Sequence, residues 1–173
     1  MLLRIALGLY AIALCAWEPG LGAAFPVLGA RPHLDLVIIT SIGLLLGQED
    51  GAVAGFLCGM LEVAHTAGPG GGAFVASRVL VGYAAGSASH SLFARSLLVP
   101  VSCTAVATVG AEVVRFILAP YPDLSTWARL VLVQSIYNGA LAVAIHPVAA
   151  WLSRRLPSRP RAPRQAINRP RAI

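Results

Sequence analysis

The sequence predicts an all-α membrane protein, a polytopic bundle of about six transmembrane helices. Of its 173 residues, 57% are hydrophobic and only 12% are charged, and the mean hydropathy is +0.76. Soluble globular domains carry about a quarter charged residues, so this chain has too few polar side chains to cover a water-facing surface. The apolar residues also lie in long runs separated by short Gly and Pro clusters. This composition disfavours a soluble enzyme.

Six apolar runs approach the length of about 20 residues that a helix needs to cross the hydrocarbon core of a bilayer. The stretch Gln48-Glu49-Asp50-Gly51 predicts a tight polar turn between two short helices; the alternative is a single broken or re-entrant segment. The predicted spans are Leu2–Trp17, Leu36–Gly47, Ala52–His65, Ala73–Ser89, Leu97–Ala119 and Trp127–Leu152.

The charge divides the chain into two parts. All thirteen basic residues are Arg, and seven of them lie between Arg154 and Arg171. Residues 1–153, the predicted transmembrane domain, carry six Arg and seven acidic residues, so their net charge is −1. Residues 154–173 form an Arg- and Pro-rich tail that we expect to be disordered, cytoplasmic and attracted to anionic membrane lipids. This distribution does not indicate nucleic-acid binding.

Arg residues in short loops predict the orientation. An even number of spans places both termini on one side. With the termini in the cytoplasm, Arg4, Arg95 and the seven tail Arg lie inside, whereas Arg31 and Arg129 lie outside. We therefore expect a multi-pass protein with both termini in the cytoplasm.

Small and amide residues predict how the helices pack. Glycines at every fourth position let helix backbones approach closely, and we favour packing within the chain over a partner interface. Gln134 and Asn138 lie one turn apart on the last span, and we expect them to bridge helices. The glycines are Gly43, Gly47, Gly51, Gly55 and Gly59, with Gly82 and Gly86 repeating the spacing.

Ionisable residues at membrane depth are costly unless they are paired. Glu62 and Arg78 lie on either side of the Gly-rich reversal, so we expect them to meet across adjacent helices. Glu112 and Arg115 have the spacing of an intrahelical ion pair. One acid per Arg leaves no surplus carboxylate, so structural pairing is favoured over a proton or substrate pathway.

The residues do not indicate an enzyme class. The four His are scattered, and the sequence contains no phosphate-binding loop and no His-Glu-x-x-His motif. Glu62 and His65 share a helix face but would supply only two metal ligands, which do not complete a site. Cys15, Cys58 and Cys103 are isolated within apolar runs. We therefore expect no catalytic residue, no metal and no cofactor.

The order of features over residues 30–153 resembles the MreD family of bacterial rod-shape-determining membrane proteins. Arg31-Pro32-His33-Leu34-Asp35 is similar to an Arg-Pro-Asp-Leu motif of that family. The segment from Gly55 to Glu62 resembles the family's Gly-Phe-x-x-Gly-Leu motif with a following Asp, here with Met60 for Leu and Glu62 for Asp. Ile136-Tyr137-Asn138, through Pro147 to Arg154-Arg155, also looks like the family.

The resemblance implies a non-enzymatic inner-membrane subunit of the cell-elongation machinery that binds MreC. Its indirect partners would be the MreB filament, a RodA-type glycosyltransferase and a class B penicillin-binding protein. The family's fold is similar to the substrate-binding subunit of energy-coupling-factor vitamin transporters, which is the alternative function. The residues that we assign to a structural motif and possible partner interface are Arg31, Pro32, Asp35, Gly55, Gly59, Glu62, Arg78 and Asn138.

Overall fold

The computed structural model of the chain describes residues 2–24, 26, 28–66, 70–88, 97–120 and 123–155. Within these residues the architecture is all-α, as predicted. The six helices are α1 (Leu2–Ala24), α2 (Leu34–Leu46), α3 (Gln48–Thr66), α4 (Gly71–Ala88), α5 (Leu98–Leu118) and α6 (Leu124–Arg155).

Helix α2 is the centre of the bundle and contacts each of the other five helices. Every residue from Leu34 to Gly43 is buried. A helix that is apolar on all faces is stable only where neighbours cover it completely, which explains this position. Oγ of Ser41 in α2 lies 3.2 Å from Nδ1 of His146 in α6, which is a polar contact between these two helices.

Helices α3 and α4 form an antiparallel pair through their glycines. A Cβ atom added at Gly55 would overlap the backbone carbonyl of Arg78, and one added at Gly59 would lie 2.8 Å from Cα of Val75. Gly51 and Gly82 are likewise in direct backbone contact. The glycine spacing therefore serves packing within the chain, as expected, and Gly55 and Gly59 are covered by α4.

The connection between α2 and α3 differs from the prediction. The polar stretch from Gln48 to Gly51 is the first turn of α3 and not a turn between helices. The break is Gly47 alone, whose φ of 106° is readily adopted only by glycine. Glu49 and Asp50 are favourable in a first turn because they face the positive end of the helix dipole. Two helices, α2 and α3, separated at Gly47, occupy this region.

Two of the predicted helices, the first and the last, are shorter than the helices in the structure. Helix α1 continues beyond Trp17 to Ala24, because Glu18 makes contacts inside the bundle. Helix α6 begins at Leu124 and ends at Arg155, so the predicted domain boundary after residue 153 lies within its last turn. Residues 156–173 of the predicted tail, together with Arg95, lie outside the described residues.

The bundle has an apolar core, but it also buries charged and amide side chains and exposes many large apolar ones. Arg78, Asp35 and Asn138 are buried, whereas Val106, Ile117 and many other large apolar side chains are exposed. Helices α5 and α6 are long and apolar enough to cross a membrane. Two shorter apolar helical segments, Ile5–Glu18 and Leu34–Leu46, accompany them.

Candidate functional site

The candidate site is a buried polar cluster centred on Arg78 of α4. Its guanidinium is fully buried, and Nε donates a hydrogen bond to Oδ2 of Asp35 at 2.6 Å. Nη2 lies 2.9 Å from Oε2 of Glu62, and Nη1 donates to Oγ of Ser77 at 3.3 Å. The ring of Phe74 lies 5.5 Å from the guanidinium carbon. Arg78 thus joins α2, α3 and α4.

The predicted pair of Glu62 and Arg78 is present, but the expectation of one acid per Arg was wrong. Asp35 is a second partner of Arg78 and makes the shorter contact. The sequence places Asp35 at the start of a span, where a carboxylate normally faces the interface. It is only 1% exposed because α2 is surrounded by other helices from its first turn onward.

Glu18 and His33 extend the cluster towards the surface. Nδ1 of His33 lies 3.1 Å from Oε1 of Glu18 and 3.7 Å from Oδ1 of Asp35. The other oxygen of Glu18, Oε2, accepts a hydrogen bond from the backbone N–H of Asp35 at 3.1 Å. The side chains of His33 and Glu18 are 14% and 16% exposed, so this part of the cluster reaches solvent.

Asn138 holds α6 to this cluster and confirms the prediction of a bridging amide. Its Oδ1 accepts a hydrogen bond from the backbone N–H of His33 at 2.9 Å. Its Nδ2 donates to Oγ1 of Thr108 in α5 at 3.1 Å. The amide nitrogen of Gln134, one turn earlier, lies 3.5 Å from Nε2 of His33. The segment that precedes α2 is therefore fixed to α6, and Asn138 also links α6 to α5.

The cluster has a surplus of acidic groups. Asp35 and Glu62 contact the guanidinium of Arg78, and Glu18 contacts His33, so three carboxylates face two basic groups. Oδ1 of Asp35 is buried and accepts no hydrogen bond within the part of the chain that the structure describes. A cation can therefore be accommodated here, whereas the sequence led us to expect full compensation.

Glu112 and Arg115 form the second predicted ion pair, with 2.6 Å between Oε1 and Nη1. The Arg115 guanidinium also lies 4.0 Å above the ring of Phe74, the residue that contacts Arg78. Phe74 therefore lies against both Arg side chains. This contact ties α5 to α4 next to the cluster.

Only some of the predicted site residues lie in the cluster around Arg78. Asp35, Glu62, Arg78 and Asn138 belong to the cluster, whereas the side chain of Arg31 is exposed. Pro32 is buried and directly precedes His33 in the sequence. Gly55 and Gly59 contact α4. Sequence reasoning missed Glu18 and His33. The only signal was their position at the ends of the first two spans, which does not show that these ends meet.

An apolar groove of about 480 Å³ runs between α4 and α5. Leu80 and Val106 on its walls are 53% and 71% exposed, so the groove opens to the outside of the bundle. Its walls consist largely of small and aliphatic side chains, namely Ser77, Leu80, Val81, Ala84, Ala85, Ala88, Ser102, Cys103, Val106, Ala107, Gly110 and Val114.

The chain matches no family model, no curated protein and no solved structure.

Proposed function

We propose that the chain is a non-enzymatic, six-span scaffold of the bacterial inner membrane that binds MreC, as its resemblance to the MreD family implies. The observation that carries this proposal is the open apolar groove between α4 and α5. Through MreC, the chain would act with the MreB filament, a RodA-type glycosyltransferase and a class B penicillin-binding protein in lateral wall synthesis.

The surface of the bundle supports the membrane part of this proposal. Leu132 and Ile136 of α6 are 62% and 66% exposed, and Ile117 of α5 is 69% exposed. Side chains of this kind are stable on an outer surface where lipid, and not water, surrounds them. In this proposal the shorter helices α2, α3 and α4 also cross the membrane. Helix α2 is covered by the other five helices, whereas α3 and α4 present exposed apolar side chains such as Phe56, Met60 and Leu80.

The composition of the groove supports a helical partner. Ala84 and Ala88 on α4 and Ala107 and Gly110 on α5 are among the residues that line this apolar cleft. Small residues allow a third helix to approach the backbones closely, and close packing drives helix association in lipid. We therefore propose that an apolar helix of MreC occupies the groove.

The alternative, a vitamin-binding transporter subunit, would need a pocket with convergent polar groups. Ser77 and Ser102 are the polar side chains on the groove walls, and Ser77 is buried. The charged groups of the chain's interior contact one another around Arg78. The groove therefore suits an apolar helix better than a polar small molecule.

Site-specific photo-crosslinking in native membranes tests the proposal. A photoreactive amino acid replaces Val106 in the groove, and the matched control replaces Ile136, which is similarly exposed on α6. We expect mass spectrometry to identify MreC as the main product at position 106 and to find much less of it at position 136.

Crosslinks from position 106 to lipid alone, or to the ATPase and coupling subunits of a transporter, would contradict the scaffold. Equal yields of MreC at the two positions would contradict the groove as the docking surface.

A further inference from the structure

We propose that Glu18, His33 and Asp35 form a binding site for a divalent first-row transition-metal ion. One nitrogen or oxygen atom from each residue lies within 4.8 Å of the other two. The proposal is independent of the groove and of MreC, since none of the three residues lines the groove.

The distances between the donor atoms fit a small metal ion. Ligands at about 2.1 Å from a tetrahedral ion lie about 3.4 Å from one another. Nδ1 of His33 lies 3.1 Å from Oε1 of Glu18 and 3.7 Å from Oδ1 of Asp35. Small side-chain movements would therefore bring all three atoms into coordination, and water would complete the ligand set.

Each proposed carboxylate ligand uses one oxygen in a hydrogen bond that holds the side chain in place, and its other oxygen faces the proposed site. Oδ2 of Asp35 accepts from Nε of Arg78, whereas its Oδ1 is buried and accepts no hydrogen bond from any residue that the structure describes. Oε2 of Glu18 accepts from the backbone N–H of Asp35, and its Oε1 faces His33. Such outer contacts orient the ligands of metal sites in proteins.

His33 is oriented in the same way. Its backbone N–H is bound by Asn138, and the side-chain amide of Gln134 lies 3.5 Å from Nε2. A 180° flip of this amide places its oxygen where it can accept a hydrogen bond from Nε2–H, so that Nδ1 carries the lone pair. Nη2 of Arg78 lies 3.4 Å from Nδ1, and the metal would replace this contact. When the ion binds, it takes the position of the proton between Nδ1 and Oε1 of Glu18.

The donor set and the charge indicate the class of ion. One imidazole with two carboxylates suits Zn²⁺, Mn²⁺ or Fe²⁺, whereas Mg²⁺ and Ca²⁺ prefer oxygen ligands alone. The cluster has three carboxylates, those of Glu18, Asp35 and Glu62, and one guanidinium, so a dication bound in place of the His33 proton compensates the surplus negative charge.

The test is titration of the purified, tag-free protein in detergent with Zn²⁺, followed by calorimetry, and with Co²⁺, followed by visible absorption. We expect one ion per chain and a higher melting temperature with Zn²⁺. Both E18Q and H33Q should weaken binding at least about tenfold, because even outer contacts of metal ligands are worth about 10- to 100-fold in affinity. The control H65Q removes an exposed histidine on α3 and should leave binding unchanged.

The absence of stoichiometric binding to the unaltered protein would overturn the proposal, as would equal affinity of H33Q and H65Q. X-ray absorption of the zinc-loaded unaltered protein provides a readout that does not require the variants to fold. One imidazole with oxygen ligands supports the site. Sulfur or several imidazoles in the coordination shell would contradict it.

Discussion

At the scale of single residues, Arg78 is the largest fully buried side chain of the described interior. Its side chain is fully buried and contacts a carboxylate from each of two other helices. Removing one member of a buried ion pair leaves an uncompensated charge, and the cost is about 3–5 kcal/mol. Here two carboxylates depend on the same guanidinium.

We expect Arg78→Met to lower the free energy of unfolding by about 3–5 kcal/mol and to reduce the amount of folded protein in membranes. Arg78→Lys should show an intermediate loss, since an ammonium group cannot reproduce the planar geometry of the guanidinium. Thermal unfolding in detergent measures both effects. Arg115→Met is the control because the Arg115 side chain is 24% exposed. Equal losses in R78M and R115M would contradict the central role of Arg78.

A charge swap between Glu62 and Arg78 would not restore all the contacts of Arg78. Exchanging Glu62 and Arg78 restores their mutual attraction, but it places a Glu at position 78 beside Asp35. The double variant should therefore remain less stable than the unaltered protein. Comparing Asp35→Asn with Glu62→Gln separates the two contacts, and the fully buried Asp35 should show the larger effect.

At the scale of helices, α3 and α4 depend on the absence of side chains at their contact. Gly55→Ala would place a methyl group against the carbonyl of Arg78, which a rigid backbone cannot avoid by a change of rotamer. Overpacking of this kind costs about 1–3 kcal/mol. Gly8→Ala is the control, because a Cβ there has no neighbour within 4 Å. We expect thermal unfolding to show a loss for G55A and none for G8A; equal behaviour would contradict the close contact.

The first turn of α6 has a pH-dependent cap. The carboxylate of Asp123 accepts hydrogen bonds from the side chains and backbone N–H groups of Thr126 and Ser125, which lower its pKa to about 2. A lowered pKa means that the stabilisation is complete above the carboxylate's usual pKa and is lost as the pH falls through about 2.

We therefore expect Asp123→Ala to lower the melting temperature by the same amount at pH 7 and at pH 5. The difference from the unaltered protein should shrink between pH 4 and pH 2. Melting curves in detergent across this range test the cap. A difference that does not change with pH would show that Asp123 acts other than through its charge.

At the scale of the whole molecule, the six helices follow from hydropathy and Gly or Pro breaks, and the structure agrees with these predictions to within a few residues for most helices. The pairing of Glu62 with Arg78 was also predictable, because a short reversal brings α3 and α4 together. The contact between Glu18 and His33 was not, since it depends on how α1 lies against α2. Spacing along a chain does not specify the packing of helices joined by a longer connection.

The orientation of the molecule is testable with single cysteines. After Cys15, Cys58 and Cys103 are replaced by Ala, R31C should react with a membrane-impermeant maleimide in intact spheroplasts. R155C should react only after lysis, because the proposed topology places both termini in the cytoplasm. Both Arg side chains are exposed, so burial does not account for a difference. Labelling of R155C in intact cells would contradict this topology.

The central position of α2 has a consequence for the order of assembly during synthesis. Its 13 residues extend about 20 Å, less than the roughly 30 Å of a bilayer's apolar core, and its first turn carries Asp35. Arg78 leaves the ribosome 43 residues after Asp35, and Asn138 leaves 105 residues after His33. Until then, α2 has an unneutralised carboxylate and an incomplete set of neighbours. In the proposed topology, a nascent chain that stops before α6 lacks the helix that binds the backbone of His33 and covers part of α2, and we expect membrane quality control to degrade it.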